Sequence, residues 1–264
     1  MTSAILIAVV LCQLAISAYG LNNCTIGNIG QAQAQFNTLL KIPQSVNWGT
    51  PNDLSVAIQD IFINGVSGKD STQGLVQVCN AYNAYLKSLA DQLVDYKTCL
   101  NPRFIIDNDG NNPIIGYSYV GILNQLAYQC GAGFFPAQSQ WTCIQNTYAT
   151  RNTTLLNCLN NMHFDLSANY TATCTYTKAA IECWQREFAQ VCGHNNEVDY
   201  YACQTAHQYT LAAYGECDDR CIIFERPQFA VDNAALMAKL NQNAPSVRDV
   251  IYQEIKAKYM RTEL

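Results

Sequence analysis

The amino-acid sequence predicts an all-α fold, a disulfide-stapled helical bundle with short helices at both ends. Three observations support this prediction. Apolar residues recur at three- and four-residue steps through most of the chain, which is the spacing of one helix face. No stretch sustains the alternation of apolar and polar residues that is typical of strands. The chain of 264 residues also contains 13 cysteines, enough to cross-link helices at several points.

The first 20 residues predict a secretory signal peptide. Residues 4–16 are apolar except Gln13, and residues 1–20 contain no charged side chain. An apolar stretch followed by small residues is typical of such signals, with cleavage after Gly20 or, alternatively, after Ala18. A membrane span needs about 20 apolar residues, and no second stretch is long and apolar enough. We therefore expect a secreted, extracellular protein with no membrane span after signal removal.

Cysteine counting agrees with secretion. Loss of the signal would remove Cys12 and leave twelve of the 13 cysteines, an even number. An even set in an oxidising compartment predicts a disulfide framework, whose connectivity the sequence leaves open. The cysteines expected in disulfides are Cys24, Cys79, Cys99, Cys130, Cys143, Cys158, Cys174, Cys183, Cys192, Cys203, Cys217 and Cys221. Residues 79–221 hold eleven of them, so Cys24 must pair into that segment if all bonds form within the chain.

Three Asn-x-Thr sequons predict a glycoprotein. They begin at Asn23, Asn152 and Asn169. Each would accept a glycan if it is exposed during secretion.

The chain is poor in charge. Charged residues make up 13% of it, against about 25% in average proteins. Asn, Gln, Thr and Tyr take the polar positions instead. The net charge is −5, and the sequence offers no basic face, so we exclude a nucleic-acid partner.

The predicted domain organisation has three parts after the signal. Residues 21–70 form an N-terminal extension, with short helices expected in IGNIGQAQAQFNTLL and DLSVAIQDIFI and loops rich in Gly, Pro, Asn and Ser around them. Residues 71–224 form a cysteine-rich helical domain. Residues 225–264 form a cysteine-free helical tail, in which apolar spacing predicts two more helices.

The best helical pattern in the cysteine-rich domain runs from residue 71 until Pro102 stops it. On one continuous helix, Cys79 and Cys99 would lie about 30 Å apart. The Cα atoms of bridged cysteines lie within about 7 Å, so these two must pair with different partners.

More helices are predicted in the rest of this domain. One ends at Gly131, and two short ones follow in PAQSQWTCIQNTYAT and NTTLLNCLNNM. A longer one, TCTYTKAAIECWQREFAQVCG, closes on Gly193, and a last one contains Cys203.

The cysteines of the longer helix predict staples on two of its sides. Cys174 and Cys192 are five turns apart and share a face, whereas Cys183 lies on the opposite face. Cys192 and Cys203 flank the turn to the next helix, so a bond between them across this turn is one possible pairing.

A zinc site is an alternative interpretation of residues 183–209. Cys192, His194, Cys203 and His207 could form a tetrahedral set. Their spacing matches no common zinc-binding pattern, and the thiols of secreted proteins normally pair. We therefore predict disulfides at both cysteines, no bound metal and no cofactor.

Motifs of familiar secreted enzymes are not found. The segment GYSYVG, residues 116–121, differs from the Gly-x-Ser-x-Gly elbow of many hydrolases by one position. Nothing near His163, His194 or His207 in sequence completes a catalytic triad. Glu182, Glu187 and Glu197 could in principle pair as catalytic carboxylates, but nothing in the sequence distinguishes them from a solvated helix face. We predict that the chain is not an enzyme.

Four segments carry a resemblance to a known domain. They are LAYQCGAG, CLNNM, IECWQREFAQVCG and YYACQTAHQYTLAAYGECDDRC. In cysteine rhythm and helix style, this part resembles a secreted, cysteine-rich helical domain of unknown function that is abundant in nematodes and close in style to the chondroitin-proteoglycan-4-like domain. The resemblance covers a little over half of the mature chain. It implies an extracellular, helical, non-enzymatic protein and supplies no catalytic residues. The N-terminal extension and the cysteine-free tail depart from it.

The favoured function is an extracellular interaction or matrix-type module without catalysis, whose partner is an unknown extracellular protein or glycan. One alternative is a carrier of a small apolar ligand, which would need a cavity of several hundred Å3 between the helices. Another is a secreted enzyme of an unrecognised class, which would need a histidine or a carboxylate pair in a cleft.

Overall fold

The computed structural model describes residues 22–68, 73–108, 112–193, 195–217 and 219–221. Within these ranges the chain folds into ten α-helices and one short 3-10 helix, without a strand beyond an isolated bridge between Asn22 and Val94. The α-helices are α1 (Ile26–Leu40), α2 (Pro51–Asn64), α3 (Gly74–Asp91), α4 (Tyr96–Cys99), α5 (Pro102–Asn108), α6 (Pro113–Gln129), α7 (Phe134–Ser139), α8 (Trp141–Ala168), α9 (Thr173–Cys192) and α10 (Asn196–Thr210), and the 3-10 helix spans Tyr170–Ala172. The predicted all-α class is confirmed.

Some predictions fall on other parts of the chain. The signal peptide at residues 1–20 and the tail helices at 225–264 lie outside the described residues. Within the described ranges, no helix combines the length and apolar character that a membrane crossing requires. The domain boundaries predicted at residues 20, 70 and 224 stay predictions. Helices on both sides of residue 70 contribute to one hydrophobic core, in which α1 packs on α3 and α2 packs on α3 and α8.

The two N-terminal helices form where the sequence predicts them. Thr25 caps α1, because its N–H donates to Asn28 Oδ1 (2.7 Å) and its hydroxyl oxygen accepts from the Asn28 N–H (3.3 Å). Lys41 ends this helix in a left-handed conformation, with φ 57°. Pro51 lies in the first turn of α2, where a backbone N–H is not needed. These local signals explain why both predictions are confirmed.

The single helix predicted from residue 71 to Pro102 is wrong, because the chain breaks after α3. Leu93 has a positive φ of 55°, outside the right-handed helical region. Its carbonyl oxygen accepts from the Asn22 N–H (2.8 Å). Asp95 then caps the short α4 by accepting from the Lys97 N–H (3.0 Å). Apolar spacing continues through the break, so the pattern alone misses it.

The two short helices predicted at residues 136–150 and 152–162 lie mostly in one long helix, α8. No Gly or Pro interrupts Trp141–Ala168, so nothing in the backbone forces an end. Residues 152–154 are exposed, whereas Leu155 directly after them is buried. This polar run is the solvent face of a continuous helix and not a loop.

All twelve cysteines expected in disulfides are paired. The six bonds are Cys24–Cys99, Cys79–Cys130, Cys143–Cys192, Cys158–Cys183, Cys174–Cys217 and Cys203–Cys221. Cys24 bonds into the rest of the chain, as the odd count of the others requires. Cys79 and Cys99 have different partners, as expected from their separation.

One possible pairing is not formed, and the staples expected on two sides of α9 are present. Cys192 bonds Cys143 and not Cys203 across the turn. Cys183 and Cys192 also tie α9 to the same helix, α8, although they lie about two and a half turns apart. They lie on the two sides of the buried Trp184, so each edge of the α8–α9 contact has its own disulfide.

Gly74 provides a test of how closely α2 and α3 approach. A methyl group there would collide with the Ile61 carbonyl oxygen and lie 2.9 Å from Phe62 Cα, and both atoms belong to the backbone. We expect Gly74→Ala to lower the free energy of unfolding by about 1–3 kcal/mol, as overpacking does. The control is Gly27→Ala, whose methyl would lie 3.6 Å from the Thr25 hydroxyl oxygen, an ordinary contact. Urea denaturation with intact disulfides measures both, and equal stabilities would contradict the close approach.

Candidate ligand-binding site

A groove with a volume of about 590 Å3 opens to solvent beside α3. Its walls come from one face of α3, from the segment that leads into α4, and from the C-terminal end of α6. The lining residues are Tyr82, Asn83, Leu86, Ala90, Val94, Tyr96, Ala127, Cys130 and Gly131. We call it the α3 groove.

Helical spacing and one disulfide produce two of its walls. Tyr82, Leu86 and Ala90 are four residues apart along α3, so they share a face. Cys79 lies three residues before Tyr82 on the same helix and bonds Cys130 at the end of α6. The covalent bond therefore fixes the distance between these two walls.

The third wall exists because α3 breaks. The end of α3, directly before the break, is held to α1 by Asn28, whose Nδ2 donates to Gln92 Oε1 (2.7 Å). The Cys24–Cys99 disulfide holds the end of α4 to Cys24, two residues before α1. These ties carry the buried Val94 to the edge of the groove.

The α3 groove is electrically neutral. None of the described residues that line it is charged. The charged residues that adjoin the lining positions in sequence are Lys87 and Asp91, which form an exposed ion pair, and Asp95 and Lys97. These two cations and two anions carry no net charge together.

Most buried tyrosines are fixed by hydrogen bonds inside the protein. The hydroxyls of Tyr85 and Tyr119 lie 3.0 Å apart and share a hydrogen bond. Gln129 Nε2 donates to the hydroxyls of Tyr148 (3.0 Å) and Tyr201 (3.1 Å). Burial raises the pKa of each of these four tyrosines, so the phenols stay neutral donors and acceptors.

A second cavity is too small for a ligand. Its volume is about 20 Å3, close to the space of one water molecule. Gln59 and Gln125 line it, and Gln59 Oε1 and Gln125 Nε2 find no hydrogen-bond partner among the described residues. This cavity is a polar packing feature of the core.

The two cysteines of the alternative zinc set are not available as metal ligands. Cys192 and Cys203 are consumed in disulfides with Cys143 and Cys221. His194 lies outside the described residues. Across the described ranges, no group of three or more His, Cys, Asp or Glu side chains has the arrangement that could hold a metal ion.

His163 forms a buried polar cluster that sequence reasoning missed. Its Nε2 lies 2.9 Å from the Tyr209 hydroxyl and 3.2 Å from Ser118 Oγ. Ser118 belongs to the GYSYVG segment, but His163 is 45 residues away. No local sequence motif therefore predicts the contact. Burial lowers the pKa of His163 from 6.5 to about 4, which makes it a weak base at neutral pH.

Glu187 is not the solvated helix residue that the sequence indicates. Only 5% of it is exposed. Its carboxylate oxygens lie 3.8 Å from Arg151 Nε and 3.8 Å from Arg186 Nε. The helical pattern hides this burial, because Glu187 lies beside Phe188 at the edge of the buried face.

The three sequon asparagines are exposed. Asn169 links α8 to the 3-10 helix, and its Oδ1 accepts from the Thr171 N–H (3.1 Å) and hydroxyl (2.7 Å). Asn152 lies on the solvent face of α8, and Asn23 directly precedes Cys24. Glycosylation at these positions stays a prediction.

We expect the His163 cluster to make stability depend on pH. The unfolded chain binds a proton near pH 6.5, whereas the folded chain resists it until about pH 4. Stability is therefore lost as the pH falls from about 6.5 to about 4, by up to about 3 kcal/mol from this residue. His163→Gln, which keeps a polar group but does not titrate, should flatten the fall. Urea denaturation at pH 7 and pH 4 measures it, and identical pH dependence in both proteins would contradict the assignment.

Comparison of the chain with protein-family models, with curated proteins and with solved structures gives no match. The resemblance to a cysteine-rich helical domain therefore stays a prediction, and the interpretation of the groove rests on the chain's own residues.

Proposed function

We propose that the chain is a secreted, non-catalytic binding protein that carries a small, largely apolar ligand in the α3 groove. The observation that carries the proposal is the size and lining of the groove. Its volume of about 590 Å3 lies within the range of about 300–1,000 Å3 typical of small-molecule sites. Such sites are lined mostly by apolar and aromatic side chains with a few polar groups, which describes the α3 groove.

The groove is also held in shape before any ligand binds. The Cys79–Cys130 bond joins two of its walls, and the Cys24–Cys99 bond anchors the third. A preformed site loses little conformational entropy on binding, so more of the contact energy becomes affinity. This favours a carrier over the interaction module that the sequence alone favours.

The extracellular setting is supported by the disulfides. Six bonds in one chain are typical of extracellular proteins. The predicted signal peptide and sequons agree with this setting. Secretion, cleavage of the signal and glycosylation are parts of the proposal.

The non-catalytic part of the proposal draws on the histidines. His163 and the Ser118 hydroxyl beside it are both buried, and neither lines the α3 groove. Its lowered pKa makes His163 a poor general base at neutral pH. Burial also lowers the pKa of His207, against the opposing effect of Asp219. Both histidines fit structural roles better than catalytic ones.

An interaction with an extracellular protein or glycan is a second candidate. Three aromatic side chains are unusually exposed: Phe135 (78%), Phe164 (72%) and Tyr170 (81%). Phe164 and Tyr170 lie near the end of α8, on either side of the sequon residue Asn169. Exposed aromatic groups are common at interfaces, and this end of α8 is the place where a macromolecular partner would bind.

A hydrocarbon fluorophore tests the carrier proposal. We expect saturable fluorescence enhancement of diphenylhexatriene by the full secreted chain. Ala90→Trp, which fills the groove from α3, should weaken this binding at least about tenfold, or 1.4 kcal/mol. The matched control is Ala149→Trp, at an exposed position of α8 that does not line the groove. No saturable binding by the wild type, or equal weakening by both variants, would contradict the proposal.

A further inference from the structure

Tyr82 stands apart from the other buried tyrosines. Six tyrosines are buried in the described part of the chain: Tyr82, Tyr85, Tyr119, Tyr148, Tyr201 and Tyr209. The hydroxyls of the other five are hydrogen-bonded inside the protein. The Tyr82 hydroxyl has no such bond to any described residue, although only 5% of Tyr82 is exposed. A buried tyrosine hydroxyl normally finds a partner, so this one is available to something else.

The Tyr82 hydroxyl is not sealed inside the protein. Tyr82 lines the groove, and its hydroxyl is not among the sealed polar atoms that lack a partner in the core. The small exposed part of the residue therefore includes the hydroxyl. Burial, and then the nearby phenol of Tyr96, raise the pKa of Tyr82 to about 12, so the hydroxyl keeps its proton at physiological pH. It can both donate and accept a hydrogen bond.

Two other lining residues carry polar groups without a hydrogen bond to the described part of the protein. These groups are the Asn83 amide and the Tyr96 hydroxyl. The remaining lining residues are aliphatic, glycine or a disulfide sulfur. The groove thus has an apolar body and a short polar stretch at Tyr82, Asn83 and Tyr96.

The lack of charge among the described lining residues bears on the kind of polar group that a ligand can place in the groove. A carboxylate or ammonium in a largely apolar site is destabilised unless an opposite charge pairs with it. No described residue that lines the groove supplies one, whereas three neutral hydrogen-bonding groups are present. An ionic end would thus find no opposite charge among these lining residues, whereas a neutral polar end would find hydrogen-bonding groups.

We propose that the ligand is a neutral amphiphile with an apolar body and one hydroxyl end, and that Tyr82 is the residue that selects this end. The inference rests on the proposed carrier function and adds the ligand class to it. A site that offers unpaired hydrogen-bonding groups rejects analogues that cannot satisfy them. Tyr82 is thus a specificity-determining residue, and the aliphatic positions supply affinity without selection.

Competition between two ten-carbon ligands tests the inference. Full-length secreted protein is loaded with diphenylhexatriene, which has no polar atom, and titrated at pH 8 with 1-decanol or with decanoate. We expect decanol to displace the fluorophore at a concentration at least about tenfold lower than decanoate. Tyr82→Phe should weaken decanol about five- to tenfold, the value of one neutral hydrogen bond. Because diphenylhexatriene has no polar atom to bond Tyr82, the affinity for decanol relative to that for diphenylhexatriene should fall by this factor.

Two controls separate a ligand contact from a fold defect. Tyr82→Phe removes a hydroxyl with no bond inside the described protein, so its thermal midpoint should match that of the wild type. Tyr85→Phe removes a buried hydroxyl that is bonded to Tyr119, so it should lower the midpoint and leave the preference for decanol intact.

The outcomes distinguish the two proposals. If diphenylhexatriene does not bind, the carrier function itself is wrong. If it binds but decanoate competes as well as decanol, or if Tyr82→Phe leaves decanol unaffected, the carrier function stands and the assignment of ligand class and of Tyr82 is overturned.

Discussion

The double covalent tie between α8 and α9 is the constraint on which the rest of the fold depends. These are the two longest helices described, with 28 and 20 residues, and the Cys143–Cys192 and Cys158–Cys183 bonds join them on either side of Trp184. The bonds close loops of 49 and 25 residues, and each stabilises the fold by roughly 3–4 kcal/mol in the chain-entropy description. The other layers build on this pair: α2 packs on α8, α10 packs on α9, and α6 packs on α10.

Covalent stabilisation explains how the core tolerates so much polarity. Buried Gln, Asn, Thr and Tyr side chains occupy positions that aliphatic residues fill in many helical proteins. A satisfied internal hydrogen bond contributes only about 0.5–1.5 kcal/mol net, and an unsatisfied buried group costs about 1–3 kcal/mol. The Tyr85–Tyr119 pair and the Gln129 network belong to the first kind, and Gln59 Oε1 belongs to the second. Six disulfides offset such losses without requiring a larger apolar core.

The sequence predicts the parts of this fold that local chemistry decides. Such local features include the cap at Thr25 and the proline at Pro51, which act on neighbouring residues. The odd cysteine count, which assigns Cys24 to the core, also needs no knowledge of the tertiary fold. What it misses is decided by contacts between distant segments. The break at Leu93 depends on a hydrogen bond from Asn22, and the partner of Cys192 depends on which edge of α9 faces α8. The α3 groove is missed for the same reason, since its walls come from helices that only the tertiary fold brings together.

The groove is lined by the same types of residue as the core. A chain with 13% charged residues has few ions to place around a ligand, and the exposed Lys87–Asp91 pair beside the groove is worth little in water. In the proposed function, recognition therefore rests on shape and on neutral hydrogen bonds. The groove uses tyrosine, asparagine and small apolar residues, as the interior does. The physical difference is that Tyr85 finds its hydrogen-bond partner inside the protein, whereas Tyr82, one turn earlier on α3, lines the groove and has no such bond to a described residue.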